Sequence, residues 1–220
     1  MNDDTQRPDV RDMVLIHNGF RGFYSELPTL FRGATPGDRG RADFLVDHLF
    51  VGIDVLHEHH TAEDLRLWPV LHKEAAVDKD LLQRMESQHQ AIAPLLEGAR
   101  TQANLYRSSA QQADAETLAA TLEEVNALLF EHLQEEESRI LPLCEQFMTV
   151  DEWKRLPGEG GPDVPMKHMM IFMGAIEENN TPEDMTFLLH DMPVVLRKVL
   201  APFVLRPQYR RYSKKLRQGA

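Results

Sequence analysis

Two stretches of the chain place a histidine and a carboxylate side chain one helical turn apart. The first contains His59 and Glu63, and the second contains His132 and Glu136. Positions four apart share a face of a helix, so each pair can point into the same space. Imidazole nitrogen beside carboxylate oxygen suits iron, manganese or zinc better than calcium. Each stretch therefore predicts half of a metal site.

The two stretches are copies of one pattern. The positions that correspond are His59 and His132, Glu63 and Glu136, Asp64 and Glu137, Arg66 and Arg139, and Pro69 and Pro142. Internal repeats of this kind indicate a repeated structural unit. Two ordinary helix ends are the alternative interpretation, but they would not be expected to share five positions at one register.

The repeat extends towards the N-terminus of each copy. His17 lies 42 residues before His59, and His89 lies 43 residues before His132. The chain is therefore predicted to form two helical hairpins that face each other across a pseudo-two-fold axis. Together they would present six ligands to one interior point, enough for two metal ions with a bridging carboxylate or oxygen: His17, His59, Glu63, His89, His132 and Glu136.

These residues resemble the hemerythrin-like, HHE cation-binding proteins over roughly residues 10 to 148. The resemblance implies an all-α, up-down four-helix bundle that holds a non-haem di-iron centre. It implies that the first and third helices each give one histidine ligand, and that the second and fourth helices each give a histidine and a carboxylate. The cofactor would be two iron ions, joined by an oxo or hydroxo bridge.

The sequence departs from oxygen-carrying hemerythrins at two positions. Those proteins have a second histidine four residues before the third-helix ligand, where this chain has Met85. Their last carboxylate follows its histidine by five residues, which would select Glu137, whereas the internal repeat selects Glu136. We follow the repeat, and we expect the half of the site beside Met85 to keep a vacant or solvent-occupied position because thioether is a poor partner for oxidised iron.

A ferritin-like alternative rests on Glu86 and His89, which are spaced as Glu-x-x-His. That architecture would need the same motif in another helix, and the other pairs here are His-x-x-x-Glu. The hemerythrin-like interpretation is preferred.

The remaining histidines are not predicted to bind metal. His48, His57, His60 and His72 fall off the inward line of the second helix and are expected at the surface or in supporting roles. His168 and His190 lack a carboxylate at ligand spacing, and the single cysteine, Cys144, is expected to pack as a small apolar residue.

Apolar periodicity and breakers divide the chain into two regions. Residues 1–150 are predicted to form the metal-binding bundle, and residues 151–220 a helical extension that packs on the bundle or on a partner. Short helices are predicted over 166–178, 182–190, 193–205 and 207–218, each with a proline at or just before its start. A methionine-rich face at 166–173 is expected to fill core, and the basic residues 192–220 are read as a solvated face or as a docking segment for an acidic surface.

Composition limits the classes of partner. The net charge of −11 argues against general binding to nucleic acid. No apolar stretch is long enough for a membrane span, and the polar N-terminus has no apolar signal segment, so a cytoplasmic location is expected.

The expected function is to bind or sense a small ligand, namely oxygen, nitric oxide or peroxide, at the metal site. Peroxide breakdown is one candidate activity, so the sequence leaves open whether the protein is an enzyme. Metal handling without turnover and a purely structural metal site are the alternatives.

Overall fold

The computed structural model describes residues 7–74, 76–158, 163–190 and 206–218, and these residues form helices and no strands. The all-α prediction is confirmed. Within these ranges the α-helices are α1 Arg11–Arg32, α2 Arg39–Ala62, α3 Trp68–Leu71, α4 Lys79–Ser109, α5 Gln112–Glu135, α6 Leu141–Phe147, α7 Val150–Lys154, α8 Met166–Glu178, α9 Pro182–Leu188 and α10 Arg206–Leu216.

Local sequence explains where the bundle helices begin. The side chain of Asp38 accepts a hydrogen bond from the Arg41 amide at the start of α2, and that of Asp78 accepts one from the Asp80 amide at the start of α4. Such caps satisfy backbone donors that have no partner inside the helix. At the other end of α4, Ala110 takes a left-handed conformation with φ 51°, and its carbonyl accepts from the Gly37 amide. That bond ties together the two loops at this end of the bundle.

The first helix is longer than the sequence predicts. A proline within a helical pattern predicts that the helix ends before it, but α1 continues to Arg32 with Pro28 inside it. Proline lacks an amide donor and crowds the preceding turn. Here the last turn is held by packing, because Leu30 and Phe31 are buried in the core.

The second bundle helix consists of α2 and α3, and the fourth consists of α5 and α6. Each is interrupted by one π-helical turn. These turns span Glu63–Leu67 and Glu136–Ile140, and each begins at a predicted carboxylate ligand. Each is followed after one residue by a proline, Pro69 or Pro142. A proline ring clashes with the carbonyl four residues earlier in a regular α-helix, and a wider turn relieves that clash. The repeated prolines therefore mark local widenings of these two helices.

Two apolar clusters fill the bundle, and the predicted ligands lie between them along the chain. The larger, main cluster includes Leu49, Leu96 and Leu122, and the smaller, end cluster includes Trp68, Leu82 and Ile140. On every bundle helix, a residue of the main cluster precedes or follows the ligand, and a residue of the end cluster lies on its other side. Examples are Phe20 and Met13 around His17, and Ile92 and Met85 around His89. A polar layer inside a core requires partners for its groups, so this arrangement points to a site.

Two described helices of the C-terminal region, α8 and α10, contact the bundle. Helix α8 lies against α1 and α2, and its Phe172 contacts Phe20 with ring centroids 4.4 Å apart. In α10, the Tyr212 hydroxyl is 2.8 Å from Nδ1 of buried His48. Arg217 bonds both Glu26 and Glu178, so this residue of the basic segment pairs with acidic residues of the protein itself.

The predictions for the C-terminal region have mixed outcomes. The helix predicted at 193–205 is outside the described residues. Of the methionine-rich face, Met169 and Met173 pack against the main cluster, whereas Met166 is exposed. Within the described ranges, no helix is both long and apolar enough to cross a membrane.

Candidate metal centre

Seven buried or nearly buried side chains converge in two groups that share one residue. One group contains His17, His59, Glu63 and Glu136, and the other contains His60, Glu63, His89 and His132. Within each group, one ligand atom per residue lies within 4.8 Å of every other. Glu63 belongs to both groups and is therefore placed to bridge two ions.

Distances between the donor atoms match the spacing of ligands around a single ion. Nε2 of His59 is 3.1 Å from Oε1 of Glu63, and Nε2 of His89 is 3.4 Å from Oε2 of the same carboxylate. Nε2 of His89 also lies 3.1 Å from Nε2 of His132. Metal–ligand bonds of about 2.1 Å separate adjacent donors by about 3.0 to 3.4 Å. The two oxygens of Glu63 therefore face the two groups.

Glu136 stands between the groups as well. Its Oε2 atom is 3.5 Å from Nε2 of His17 and 3.6 Å from Nε2 of His132. These histidines belong to different groups, so Glu136 is placed as a second link between the two halves.

Seven of the donor atoms have no hydrogen-bond partner among the described residues. They are buried, and none of their mutual contacts has hydrogen-bond geometry; the atoms are Nε2 of His17, His59 and His60, and both carboxylate oxygens of Glu63 and Glu136. Leaving this many buried polar atoms unpaired is strongly unfavourable. A pair of cations would satisfy all of them, so the residues fit a two-metal site.

Protonation states are set by burial and by the neighbouring charges. Burial lowers the pKa of His59 to about 4 and that of His132 to about 3, which leaves both imidazoles neutral, the form that binds metal. Burial opposes the charge on Glu63, but His59 and His89 hold the pKa of Glu63 at about 2. Burial and the nearby Glu63 carboxylate raise the pKa of Glu136 well above its usual value. The Glu63 carboxylate is therefore charged before metal binds.

The His89 imidazole, unlike those of His59 and His132, has a raised pKa. Burial alone would lower its pKa, but the neighbouring carboxylates of Asp64 and Glu63 raise the pKa of His89 to about 9. Metal binding at its Nε2 must therefore displace a proton.

Three of the imidazoles are oriented through their second ring nitrogen. Nδ1 of His17 lies 2.9 Å from Glu137, which also bonds Arg21. Nδ1 of His132 lies 3.0 Å from Oε1 of Gln88. Such outer hydrogen bonds fix the tautomer and aim the other nitrogen at the metal.

The third oriented imidazole is that of His89. Its Nδ1 lies 2.8 Å from Oδ1 of Asp64, and the same oxygen accepts a hydrogen bond from the Trp68 indole at 2.9 Å. Asp64 and Glu137 occupy corresponding positions of the internal repeat, so both copies use this position to hold a histidine from another helix.

The structure brings all six predicted ligand residues together in the two groups, which contain Glu136 and not Glu137. Sequence reasoning missed His60, which was expected at the surface or in a supporting role. His60 is three residues before Glu63, a spacing that also shares a helix face. Its ring stacks on that of His89, with centroids 4.0 Å apart. The repeat gave no signal for it, because the corresponding residue of the second copy is Leu133.

His60 also changes where an open position is expected. The half containing His89 has three imidazoles, whereas the half containing His17 and His59 has two. The expectation of a vacancy beside Met85 is therefore not supported. Met85 itself is buried in the apolar cluster at the end of the bundle.

The other histidines lie outside both groups. His57 is exposed, His168 pairs with Asp54, and His72 pairs with Glu86 at 2.9 Å. Glu86 is thus directed away from the site, which removes the ferritin-like alternative. His48 was expected at the surface or in a supporting role and is instead buried against Phe23, 4.2 Å between ring centroids.

A protein-family model covers the part of the chain that carries these side chains. The model of the hemerythrin HHE cation-binding domain matches residues 9–144, which include all seven side chains. Comparisons with curated proteins and with solved structures gave no match. Since the family model covers more than half of the chain, the chain belongs to the hemerythrin HHE cation-binding domain family.

Proposed function

We propose that the protein is a non-haem di-iron protein that binds a small ligand, namely oxygen, nitric oxide or peroxide, at this site. The observation that carries the proposal is the unequal donor set of the two halves. Both carboxylates, Glu63 and Glu136, lie between the two groups, so the group with three imidazoles has one donor more than the group with two. When bound, iron supplies reversible coordination of such ligands and one-electron exchange.

The half with fewer imidazoles is the place for an external ligand. Six-coordinate iron needs more donors than His17, His59 and the two carboxylates provide. Solvent, an oxo or hydroxo bridge, or an external ligand would complete the set. An open coordination position is what separates reactive metal sites from structural ones.

The walls of that half favour a small, weakly polar ligand. The Phe20 ring lies 5.0 Å from the ring of His59, and Phe172 of the extension packs behind it. Both phenylalanines are buried. A diatomic molecule or peroxide fits beside such rings more readily than a larger organic substrate, and the rings exclude bulk water.

The surrounding residues keep the donors in place while a ligand binds. Glu137 holds His17, and Arg21 balances the Glu137 charge at 2.7 Å. Asp64 holds His89 through a hydrogen bond to its Nδ1. These contacts fix which imidazole nitrogen faces the metal.

The test uses the iron-loaded protein and its optical spectrum. Azide or nitric oxide should produce a new absorption band, and His17→Ala should abolish it. His57→Ala is the matched control, because His57 is exposed on the same helix as His59. Two irons per chain are expected in the parent protein.

A spectrum that is indifferent to azide, nitric oxide and peroxide would contradict the proposal. Metal handling without turnover, or a purely structural site, would then account for the donors. One zinc per chain in place of two irons would overturn the di-iron assignment itself.

A further inference from the structure

The Trp68 indole is joined to the metal site by two consecutive hydrogen bonds. Its Nε1–H donates to Oδ1 of Asp64 at 2.9 Å, and the same oxygen lies 2.8 Å from Nδ1 of His89. Nε2 of His89 is one of the donor atoms of the three-imidazole half. An oxidisable ring is therefore two hydrogen bonds from a metal ligand.

The indole is also close to that ligand through space. The centroids of the Trp68 and His89 rings are 5.8 Å apart, and only 1% of Trp68 is exposed. Indole is among the most easily oxidised side chains. Burial protects an oxidised ring from water, while the Asp64 carboxylate at its N–H stabilises a positive charge on it.

The other half of the site lacks this arrangement. The residue that corresponds to Asp64 is Glu137, which bonds the guanidinium of Arg21 instead of an indole. The residue that corresponds to Trp68 is Leu141, which cannot be oxidised in this way. Positioning of the histidine alone does not require an indole, because Glu137 orients His17 without one.

We propose that Trp68 is a one-electron relay between an external reductant and the metal site. This inference rests on the proposed function, with peroxide as the oxidant. The indole gives one electron to the oxidised site and becomes a radical cation, and its N–H proton stays in place, hydrogen-bonded to Asp64. An ascorbate-type reductant, AH₂, then returns the electron to the ring.

Two such transfers account for one peroxide. Hydrogen peroxide takes two electrons and two protons and becomes two waters, while AH₂ loses two electrons and two protons and becomes A. The electrons pass through Trp68 one at a time, and the protons travel through solvent. Trp68 is unchanged at the end of the cycle.

The test detects the radical directly. Iron-loaded protein is mixed with hydrogen peroxide without reductant, frozen within the reaction time and measured by electron paramagnetic resonance. An organic radical signal is expected that narrows when the protein contains ring-deuterated tryptophan. Mass spectrometry of the same samples should find oxidation products on Trp68.

Trp153 supplies a matched control. Its indole is buried and donates to a carboxylate, that of Asp12, at 3.2 Å, but neither carboxylate oxygen of Asp12 belongs to the metal groups. The signal should be lost in Trp68→Phe and kept in Trp153→Phe, with equal iron content in both variants. Zinc-loaded protein should show no signal, because zinc does not exchange electrons.

Asp64→Asn is a second variant that keeps the ring in place. The amide oxygen still accepts the indole hydrogen bond, but the stabilising charge is gone, so a smaller signal is expected. Equal signals in the parent, Trp68→Phe and Asp64→Asn proteins, or oxidation on Trp153 in place of Trp68, would overturn the relay. A protein that binds no iron, or whose iron spectrum does not respond to peroxide, would instead contradict the proposed function.

Discussion

The sharpest test of the site is the substitution of His60, the histidine that only the tertiary structure places among the donors. His60→Leu removes one imidazole from the three-imidazole half while keeping a side chain of similar volume. In the metal-free protein the Nε2 atom of His60 is buried and without a hydrogen-bond partner, and burial lowers the pKa of His60 well below its usual value. Replacing an unpaired buried polar group by an apolar one is close to neutral or stabilising.

The metal-loaded protein should respond in the opposite direction. Loss of an outer hydrogen-bond partner already weakens metal binding by about 10- to 100-fold, so loss of a ligand should cost at least the upper value. A 100-fold weaker affinity removes about 2.7 kcal/mol of the stabilisation that bound metal confers. For a domain of this size that corresponds to a fall in Tm of about 5 to 10 °C.

The assay is thermal unfolding of His60→Leu with and without iron, together with the iron content per chain. His57→Leu is the control, since His57 is exposed three residues earlier on the same helix. We expect His60→Leu to lose metal-dependent stability but not metal-free stability, and His57→Leu to match the parent in both. Equal iron content and equal Tm for the two variants would show that His60 is not a ligand.

Three further predictions follow from other parts of the structure. His132→Ala should lower bound iron far below that of the parent and His168→Ala should not, as measured by elemental analysis; equal losses would contradict the site assignment. Metal binding at pH 7 should release a proton, because the pKa of His89, raised to about 9, keeps its imidazole protonated without metal; the affinity should therefore rise with pH up to about 9, and calorimetry in buffers of different protonation enthalpy would contradict this if it found no proton release. Tyr212→Phe should lower the free energy of unfolding by about 1–3 kcal/mol, because it leaves the buried Nδ1 of His48 without its partner; unchanged denaturant unfolding would show that this contact does not hold the extension to the bundle.

Much of the site could be predicted because the ligand spacing is local. His59 and Glu63 are one helical turn apart, and so are His132 and Glu136, so their common face follows from helix geometry alone. The internal repeat then located His17 and His89 on the other two helices. Glu136 was preferred over Glu137 for the same reason, and the structure places Glu136 among the donors and Glu137 behind His17.

The π-helical turns and the role of His60 could not be predicted from the sequence. The π-helical turns at Glu63 and Glu136 shift the register of the residues that follow, and a pattern based on 3.6 residues per turn does not show them. The role of His60 depends on the distance between α2 and the neighbouring helices that carry His89 and His132. No sequence spacing reports that distance.

The sequence by itself determined the helical class, the two-copy organisation and six candidate ligands, because these follow from periodicity and from repeated local spacing. Only the tertiary structure decided how the ligands divide between two positions, with Glu63 common to both and three imidazoles on one side. It also decided what lies behind each imidazole: Arg21 beyond Glu137 in one half, and Trp68 beyond Asp64 in the other. The physical reason is that ligand geometry and the outer hydrogen bonds arise between helices far apart in sequence, and only packing sets those separations.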